Sequence, residues 1–371
     1  MTTAWTASDL DRSDPASVPA MPTIIGIDRS RLADGIIYWD MWPVADEAGR
    51  PATIAGRELW MALTAPDLGD PSLRHFAAKI RLLERLADGW RDLGPVLPDG
   101  PVRYEREWAG SAKTDGQRIS LYFTAAGTSE RPGGYQQVLY EAHAAIGPDG
   151  LPAGWSSPRP SIVRGSPEYM PALEHEGAAG RIKAFRDPAW FRDPADRQEY
   201  LIFTASLAGA GSDWNGAVGI AHRQADGWHL MPPLVHADGV NNELERAHVV
   251  FHDGRYYLFW ATQQFTFAPD VRQMPNGLYG MVADSLFGPY RPLNGTGLVL
   301  RNPEDEPLQT YSWFVTGDLQ VCAFVDFWGL QGESVPADPA GANRHFGGVP
   351  APILQLWLDG DRAGLVETAA A

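Results

Sequence analysis

Bulky apolar runs that end in small or hydroxyl residues recur along the chain: ELWMALTA (58–65), ISLYFTAA (119–126), EYLIFTAS (199–206) and YYLFWATQ (256–263). Runs of this length, rich in aromatic and aliphatic side chains, read as mostly buried strands. Ahead of each stands a turn signal, DEAGR, TDGQ, DPADRQ or HDGR, so each apolar run completes a hairpin. A fifth unit is predicted at YSWFVTGDLQVCAFVDF (311–327), with TGD as its turn. Similar β units in series suggest blades around an axis, because radial repetition disposes of sheet edges. A sandwich of look-alike hairpins is the alternative. One stretch, PSLRHFAAKIRLLERLADGW (71–90), has apolar residues three and four apart and an Asp-Gly stop, which predicts a helix packed outside the blades.

Composition agrees with an all-β reading. The 371 residues are 44% hydrophobic and 11% aromatic, with 14 Trp, 39 Gly and 31 Pro, a mix that favours aromatic-rich strands and tight turns. The net charge of -16 is spread along the chain, which argues against a phosphate-backbone partner and for a neutral ligand. Cys322 is alone in the apolar run LQVCAFVDF, so no disulfide frame or cysteine metal site exists and a buried, inert thiol is expected. No run of about 18 apolar residues occurs, so no membrane span is expected. The opening MTTAWTASDLDRSDPASVPA lacks the basic and apolar segments of a secretory signal.

On the strand before each turn sits a group of acids, tryptophans and arginines: IIYWDMWPV with Asp40, YEREWAGSA with Glu107, AFRDPAW with Asp187, and NNELERAHVV with Glu243 and Glu245. In a propeller these first strands line one channel, where the acids would converge. Carboxylates for proton transfer and nucleophilic attack, flat rings to stack on sugar faces and guanidinium donors for hydroxyls together describe a sugar site. Phe-Arg-Asp-Pro occurs twice, at 185–188 and 191–194. Asp193 directly precedes Pro-Ala-Asp-Arg and a strand, so it is read as a turn residue, and Asp187 as the channel acid. His248 and His252 have a helical zinc spacing, but on a strand they lie about 13 Å apart and no metal is expected there. No phosphate loop or Gly-x-Ser-x-Gly elbow is present.

The segments AWTASDL, YWDMWP, EREWAGSA, AFRDP, ELERAHVVF, YYLFWATQQFTFAPD, FGPYRPLNGTGLVL and QTYSWFV, in this order, resemble glycoside hydrolase family 68, the levansucrases, inulosucrases and related β-fructofuranosidases. The resemblance implies a single-domain five-bladed β-propeller with a deep central pocket, flanked by an N-terminal extension (1–30) and a C-terminal segment (335–371). It implies a retaining fructosyltransferase that releases glucose from sucrose and passes fructose to sucrose, fructan or water, without a cofactor. By motif, Asp40 is implied as nucleophile, Asp187 as transition-state stabiliser and Glu245 as general acid/base. Trp39, Trp108, Arg186, Glu243, Arg246, Gln263 and Tyr311 are implied as substrate-binding.

Three departures stand out. Ala109 follows Trp108 where serine is frequent, Gln263 replaces a frequent arginine or histidine, and Asn242 replaces an acid tied to calcium, so no metal is expected. The resemblance also implies an extracellular protein, with no recognisable export signal in this chain and with a periplasmic or cytoplasmic location as the alternatives. A mainly hydrolytic β-fructofuranosidase, another propeller glycosidase such as an inverting arabinan-type enzyme, and a non-catalytic sugar-binding propeller are the alternatives.

Overall fold

The apolar runs and turn signals produce five antiparallel meanders. The computed structural model describes residues 2–28, 32–100, 102–128, 133–172 and 183–366, so residues 367–371 of the expected C-terminal segment lie outside the described residues. The innermost strands of the five blades are Ile36–Ala45, Arg106–Thr114, Phe185–Arg192, Glu245–His252 and Thr310–Val315. Each pairs with the apolar strand that follows its turn: Arg57–Pro66, Arg118–Ala126, Glu199–Ser206, Arg255–Thr262 and Gln320–Phe327. Each innermost strand packs beside the next, and the fifth returns to the first, so the ring closes. This is the expected five-bladed β-propeller.

The termini complete the outer layers. Thr3–Ala4 pairs in parallel with Gly227–His236, the outer strand of the third blade. Trp5 behind it is 1% exposed, meets Trp260 edge-on at 5.2 Å and donates its indole N–H to the Thr296 carbonyl. At the other end, Leu354–Asp359 and Arg362–Leu365 finish the fifth blade. No described helix is long and apolar enough to cross a membrane.

One feature recurs in every blade. Each innermost strand breaks register with its partner at one height: between Trp39 and Met41, Trp108 and Gly110, Arg186 and Ala189, Glu245 and His248, and Tyr311 and Phe314. These are β-bulges, which re-aim side chains and leave a residue outside the ladder. Asp40, Asp187, Arg246 and Ser312 stand at four of them with φ of 41°, 59°, 51° and 60°. Non-glycine residues rarely adopt such values, and each costs on the order of 1–3 kcal/mol unless its surroundings hold it. In the second blade Ala109 occupies the bulge and Gly110 follows. A Cβ at Gly110 would lie 1.9 Å from the Tyr122 carbonyl oxygen, so no side chain fits there.

The hydroxyls noted at the strand ends hold two of these bulges. The freed N–H of Asp187 donates to Thr124 Oγ1 at 2.8 Å, and that of Arg246 donates to Thr204 Oγ1 at 2.9 Å. Each threonine belongs to the preceding blade, so it satisfies a donor that the bulge removed from the ladder and joins neighbouring blades.

The helix expected over 71–90 does not form. Pro71–Phe76 is a 3₁₀ turn started by Asp70, whose carboxylate accepts from the Ser72 N–H, and Lys79–Leu86 and Gly89–Pro95 are the outer strands of the first blade. KIRLLERL satisfies helical and strand periods alike over so short a stretch. Pairing with Arg57–Pro66, the packing of Trp90 on Trp60 at 5.3 Å and capture of buried Glu84 by Arg57 favour the strand.

In the second FRDP copy Phe191 and Arg192 end the innermost strand and Asp193 opens the turn, as expected of Asp193. Asp193 accepts from the Ala195 N–H at 2.9 Å and from the Tyr256 hydroxyl of the fourth blade at 2.6 Å, and it is 5% exposed. Asp193→Ala leaves that hydroxyl without its acceptor, at a cost of about 1–3 kcal/mol. Thermal unfolding should show Tm lowered by several degrees; an unchanged Tm would contradict this role.

Candidate active site

The bulges decide what faces the channel. The residue at each bulge and the one before it form five pairs: Trp39–Asp40, Trp108–Ala109, Arg186–Asp187, Glu245–Arg246 and Tyr311–Ser312. All ten side chains line one cavity of about 440 Å³ at an end of the central channel. Glu243, in the segment that leads into the fourth inner strand, lines it too, as does Gln263 directly after the next strand. Every residue implied by the resemblance as catalytic or substrate-binding is therefore found in this one pocket.

Glu107 is not among them, contrary to the expectation that it joins the other acids. It lies two residues before the second bulge, on the opposite face of the strand, where it accepts from the Ile80 N–H at 2.9 Å and pairs with Lys79 at 3.0 Å. It is a structural acid that ties the second blade to the first.

Two guanidiniums organise the carboxylates. Arg186 donates through Nη2 to Glu243 at 2.9 Å and Glu245 at 2.6 Å, and its Nε lies 3.5 Å from Asp187. Asp187 also accepts from the Thr204 hydroxyl at 3.0 Å. Glu245 is held from its other side by the Tyr311 hydroxyl. Arg246 is committed to the protein: Nη1 donates to the Ser312 carbonyl at 2.8 Å and Nη2 to the Met41 carbonyl at 2.8 Å. It thus ties the fourth blade to the fifth and first, and acts on Asp40 through its charge. The Ser312 hydroxyl accepts from Arg246 Nη1 at 3.1 Å and helps to hold Asp40 down, so the fifth blade places a hydroxyl near Asp40 where the second blade has Ala109.

The charges do not balance. Asp40, Asp187, Glu243, Glu245 and Asp326 lie within electrostatic reach of one another or of Arg74, Arg186 and Arg246, so five carboxyls share three guanidiniums. Burial pushes Asp187 and Glu243 each up to about 7, against the opposing pull of Arg186 and with the help of the Glu245 charge. Asp40 is raised by burial too, with Arg246, Ser312 and Arg74 holding it down and Glu245 pushing it up. Titrating groups displaced in this way, gathered in a cleft, are the physical mark of a catalytic site.

Several pocket residues are not legible in the sequence. Ser72, Arg74, His75 and Phe76 come from the 3₁₀ turn where a helix outside the blades was expected, and that turn is instead a wall of the cavity. His75 opens to solvent at the cavity wall but is packed round by protein atoms, and that setting together with the cations Arg74, Arg186 and Arg106 holds it below the usual histidine range. Tyr135 and Gln137 line the pocket from the second blade.

His248 is a core residue, with one ring nitrogen donating to the Arg246 carbonyl and the other accepting from the Val315 N–H. Burial lowers it to about 3. Cys322 is fully buried and its thiol is pushed up to about 12, as expected of an inert cysteine. Among the described residues no group of three or more His, Cys, Asp or Glu side chains is arranged to hold a metal ion.

Comparisons with known proteins agree with this geometry. A family model described as levansucrase/invertase matches residues 1–216 and 210–370. A levansucrase of Pseudomonas syringae pv. actinidiae is 30% identical over 98% of this chain and 91% of its own, and that of Rahnella aquatilis is 30% identical over 97% and 93%. Among solved structures, an inulosucrase from Halalkalicoccus jeotgali bound to kestose superposes with a TM-score of 0.87 at 35% identity, covering 98% of this chain and 95% of that one. A levansucrase from Gluconacetobacter diazotrophicus, at 22% identity and a TM-score of 0.79, shares the fold over 99% of this chain and 90% of its own. The pocket, the order of its motifs and the full-length matches place the chain in glycoside hydrolase family 68, the levansucrase/invertase family.

Proposed function

We propose that this protein is a fructosyltransferase that cleaves sucrose, releases glucose and passes the fructosyl unit to sucrose, a growing fructan or water. The observation that carries this reading is the meeting of Asp40, Asp187 and Glu245, from three blades, in one cavity of a chain that belongs to this family. Glu245 gives its proton to the bridging oxygen as the bond from C2 of fructose to that oxygen breaks. Asp40 attacks C2, forming a covalent fructosyl-enzyme. An acceptor hydroxyl then attacks C2, loses its proton to Glu245 and frees Asp40. Two displacements at one carbon retain its configuration.

Asp187 remains beside the sugar throughout. Ionised, it accepts hydrogen bonds from fructose hydroxyls and opposes the positive charge that develops on the ring. Trp39 and Trp108 present ring faces to the sugar, Arg186 and Glu243 bond its hydroxyls, Tyr311 orients Glu245, and Gln263 offers a neutral amide to the acceptor. The charge of Arg246 keeps Asp40 nucleophilic. The lower energy of ionised Asp40 when Arg246 is near supports that role.

Asp40→Ala and Asp187→Ala should each lower kcat by on the order of 10⁴-fold or more with the fold intact, whereas Asp193→Ala should retain most activity. Circular dichroism together with glucose release from sucrose checks both. Activity of Asp40→Ala near the wild-type level would overturn the assignment.

The raised acidities have a consequence for stability. A carboxyl at about 7 in the folded state and about 4 unfolded binds more protons when folded between those values, so its contribution to stability falls as pH rises from about 4 to 7. Asp187→Asn removes that ionisation while keeping an oxygen to accept from Thr204. The variant should therefore unfold at a higher temperature than wild type at pH 8, and the advantage should shrink as pH falls towards 4. A stability difference independent of pH would contradict the charge account.

Product balance tests the reaction itself. At high sucrose concentration, free fructose should fall well below free glucose, with the missing fructose recovered in oligosaccharide or polymer. Equal release of the two sugars at all concentrations would instead mark a hydrolase.

A further inference from the structure

The cavity has a buried floor and an open mouth. Trp39, Arg186 and Asp187 are buried, whereas Ser72, His75 and Phe76, on the 3₁₀ turn of the first blade, line the cavity and are exposed. Phe76 keeps 45% exposure, yet its ring is held in place. It meets Tyr135 edge-on at 5.9 Å, and the Arg106 guanidinium carbon lies 5.5 Å from its centre. The same carbon is 5.7 Å from the Trp108 ring centre, and Tyr135 stands 6.4 Å from that ring. The Trp108 indole N–H donates to the His75 carbonyl at 3.1 Å, which docks the turn on the second blade. Arg106 also donates to the Glu105 carboxylate at 3.0 Å and to the carbonyl of Gly134, next to Tyr135. Phe76, Tyr135 and Trp108 thus form one run of rings along the cavity wall, fixed by a single buried cation.

An exposed phenyl group standing alone needs no explanation, but one fixed at the mouth of a sugar cavity does. Flat rings stack on the apolar faces of sugars. The mechanism places the fructosyl unit beside the buried acids Asp40 and Asp187, so the remainder of an acceptor longer than one sugar extends towards the open mouth. We propose that Phe76 and Tyr135 form a stacking platform for an oligosaccharide acceptor, holding a ring of the acceptor beyond the one that receives the fructosyl unit. The inference rests on the fructosyl-transfer reading. It makes Phe76 and Tyr135 specificity-determining residues for the length of the acceptor, and gives the exposed turn of the first blade a part in the reaction.

The covalent fructosyl-enzyme provides a readout specific to the acceptor. Once glucose has left, water and a saccharide compete for the same intermediate. Donor binding and formation of the intermediate enter both outcomes equally, so the ratio of transfer to hydrolysis reports how well the acceptor is held in the second step. Loss of one ring contact should cost roughly 3- to 10-fold in that ratio. A platform that served the departing glucose would instead change turnover of sucrose and leave the ratio as it was.

The experiment compares initial rates of glucose release and of fructosylated product from sucrose, with added xylose or added fructotriose, for wild type, Phe76→Ala, Phe76→Trp, Tyr135→Ala and Leu73→Ala. Leu73 is exposed on the same turn without lining the cavity, so it controls for disturbance of the turn. With fructotriose, the ratio of transfer to hydrolysis should fall roughly 3- to 10-fold in Phe76→Ala and Tyr135→Ala, and be kept in Phe76→Trp and Leu73→Ala. With xylose, a single ring, it should change less than about twofold in every variant. An unchanged ratio with fructotriose, an equal fall with xylose, or an equal fall in Leu73→Ala overturns the proposal. If wild type releases no glucose from sucrose, the transfer reading falls, and titration calorimetry of fructotriose into Asp40→Ala, with and without Phe76→Ala, still judges the platform. Weaker binding without the phenyl ring upholds it; equal binding overturns it.

Discussion

Everything in the pocket depends on a break of hydrogen-bond register at the same height on each of the five inner strands. A regular strand would alternate its side chains and leave two adjacent residues on opposite faces. At the bulge two successive residues both line the cavity, so each blade contributes a pair and five blades contribute ten side chains. The strain of four non-glycine residues at positive φ is held by contacts between blades: the Thr124 and Thr204 hydroxyls on freed N–H groups, and the Arg246 guanidinium on Ser312 and Met41. Backbone geometry and site chemistry are therefore one construction.

That construction gathers more negative charge than it neutralises. Glu243, Glu245 and Asp187 share Arg186, and Asp40 leans on Arg246 and Arg74. In a buried site this raises the Asp187 and Glu243 carboxyls to about 7, so both hold their protons more tightly than an exposed acid does. The same crowding weakens the fold as the groups ionise. A developing positive charge on a sugar ring relieves it, which is the sense in which such a pocket fits a transition state better than its resting contents.

Much of this was legible in the sequence because local chemistry repeats. Hairpin turns, apolar second strands and the Phe-Thr-Ala endings recur in register, and the acids of YWDMWP, AFRDP and ELERAHVVF sit near the same point of successive units. Spacing alone could not separate Glu107 from the channel acids, because a difference of one residue on a strand reverses the face. The stretch 71–90 misled because a seven- or eight-residue apolar pattern fits two periods, and the deciding partner, Arg57–Pro66 with Trp60, acts through tertiary pairing. Arg74 and Ser312 carried no local signal at all. Their roles arise from the closure of the ring, which brings the first and fifth blades together.

The central claim is that Asp40 becomes covalently bonded to fructose. Rapid acid quenching of the wild-type protein during turnover of saturating sucrose, followed by proteolysis and mass spectrometry, tests it most directly. The account predicts a peptide containing Asp40 heavier by one fructosyl unit, present during turnover and gone once sucrose is exhausted. Steady turnover with no adduct, or an adduct on another carboxylate, would contradict it.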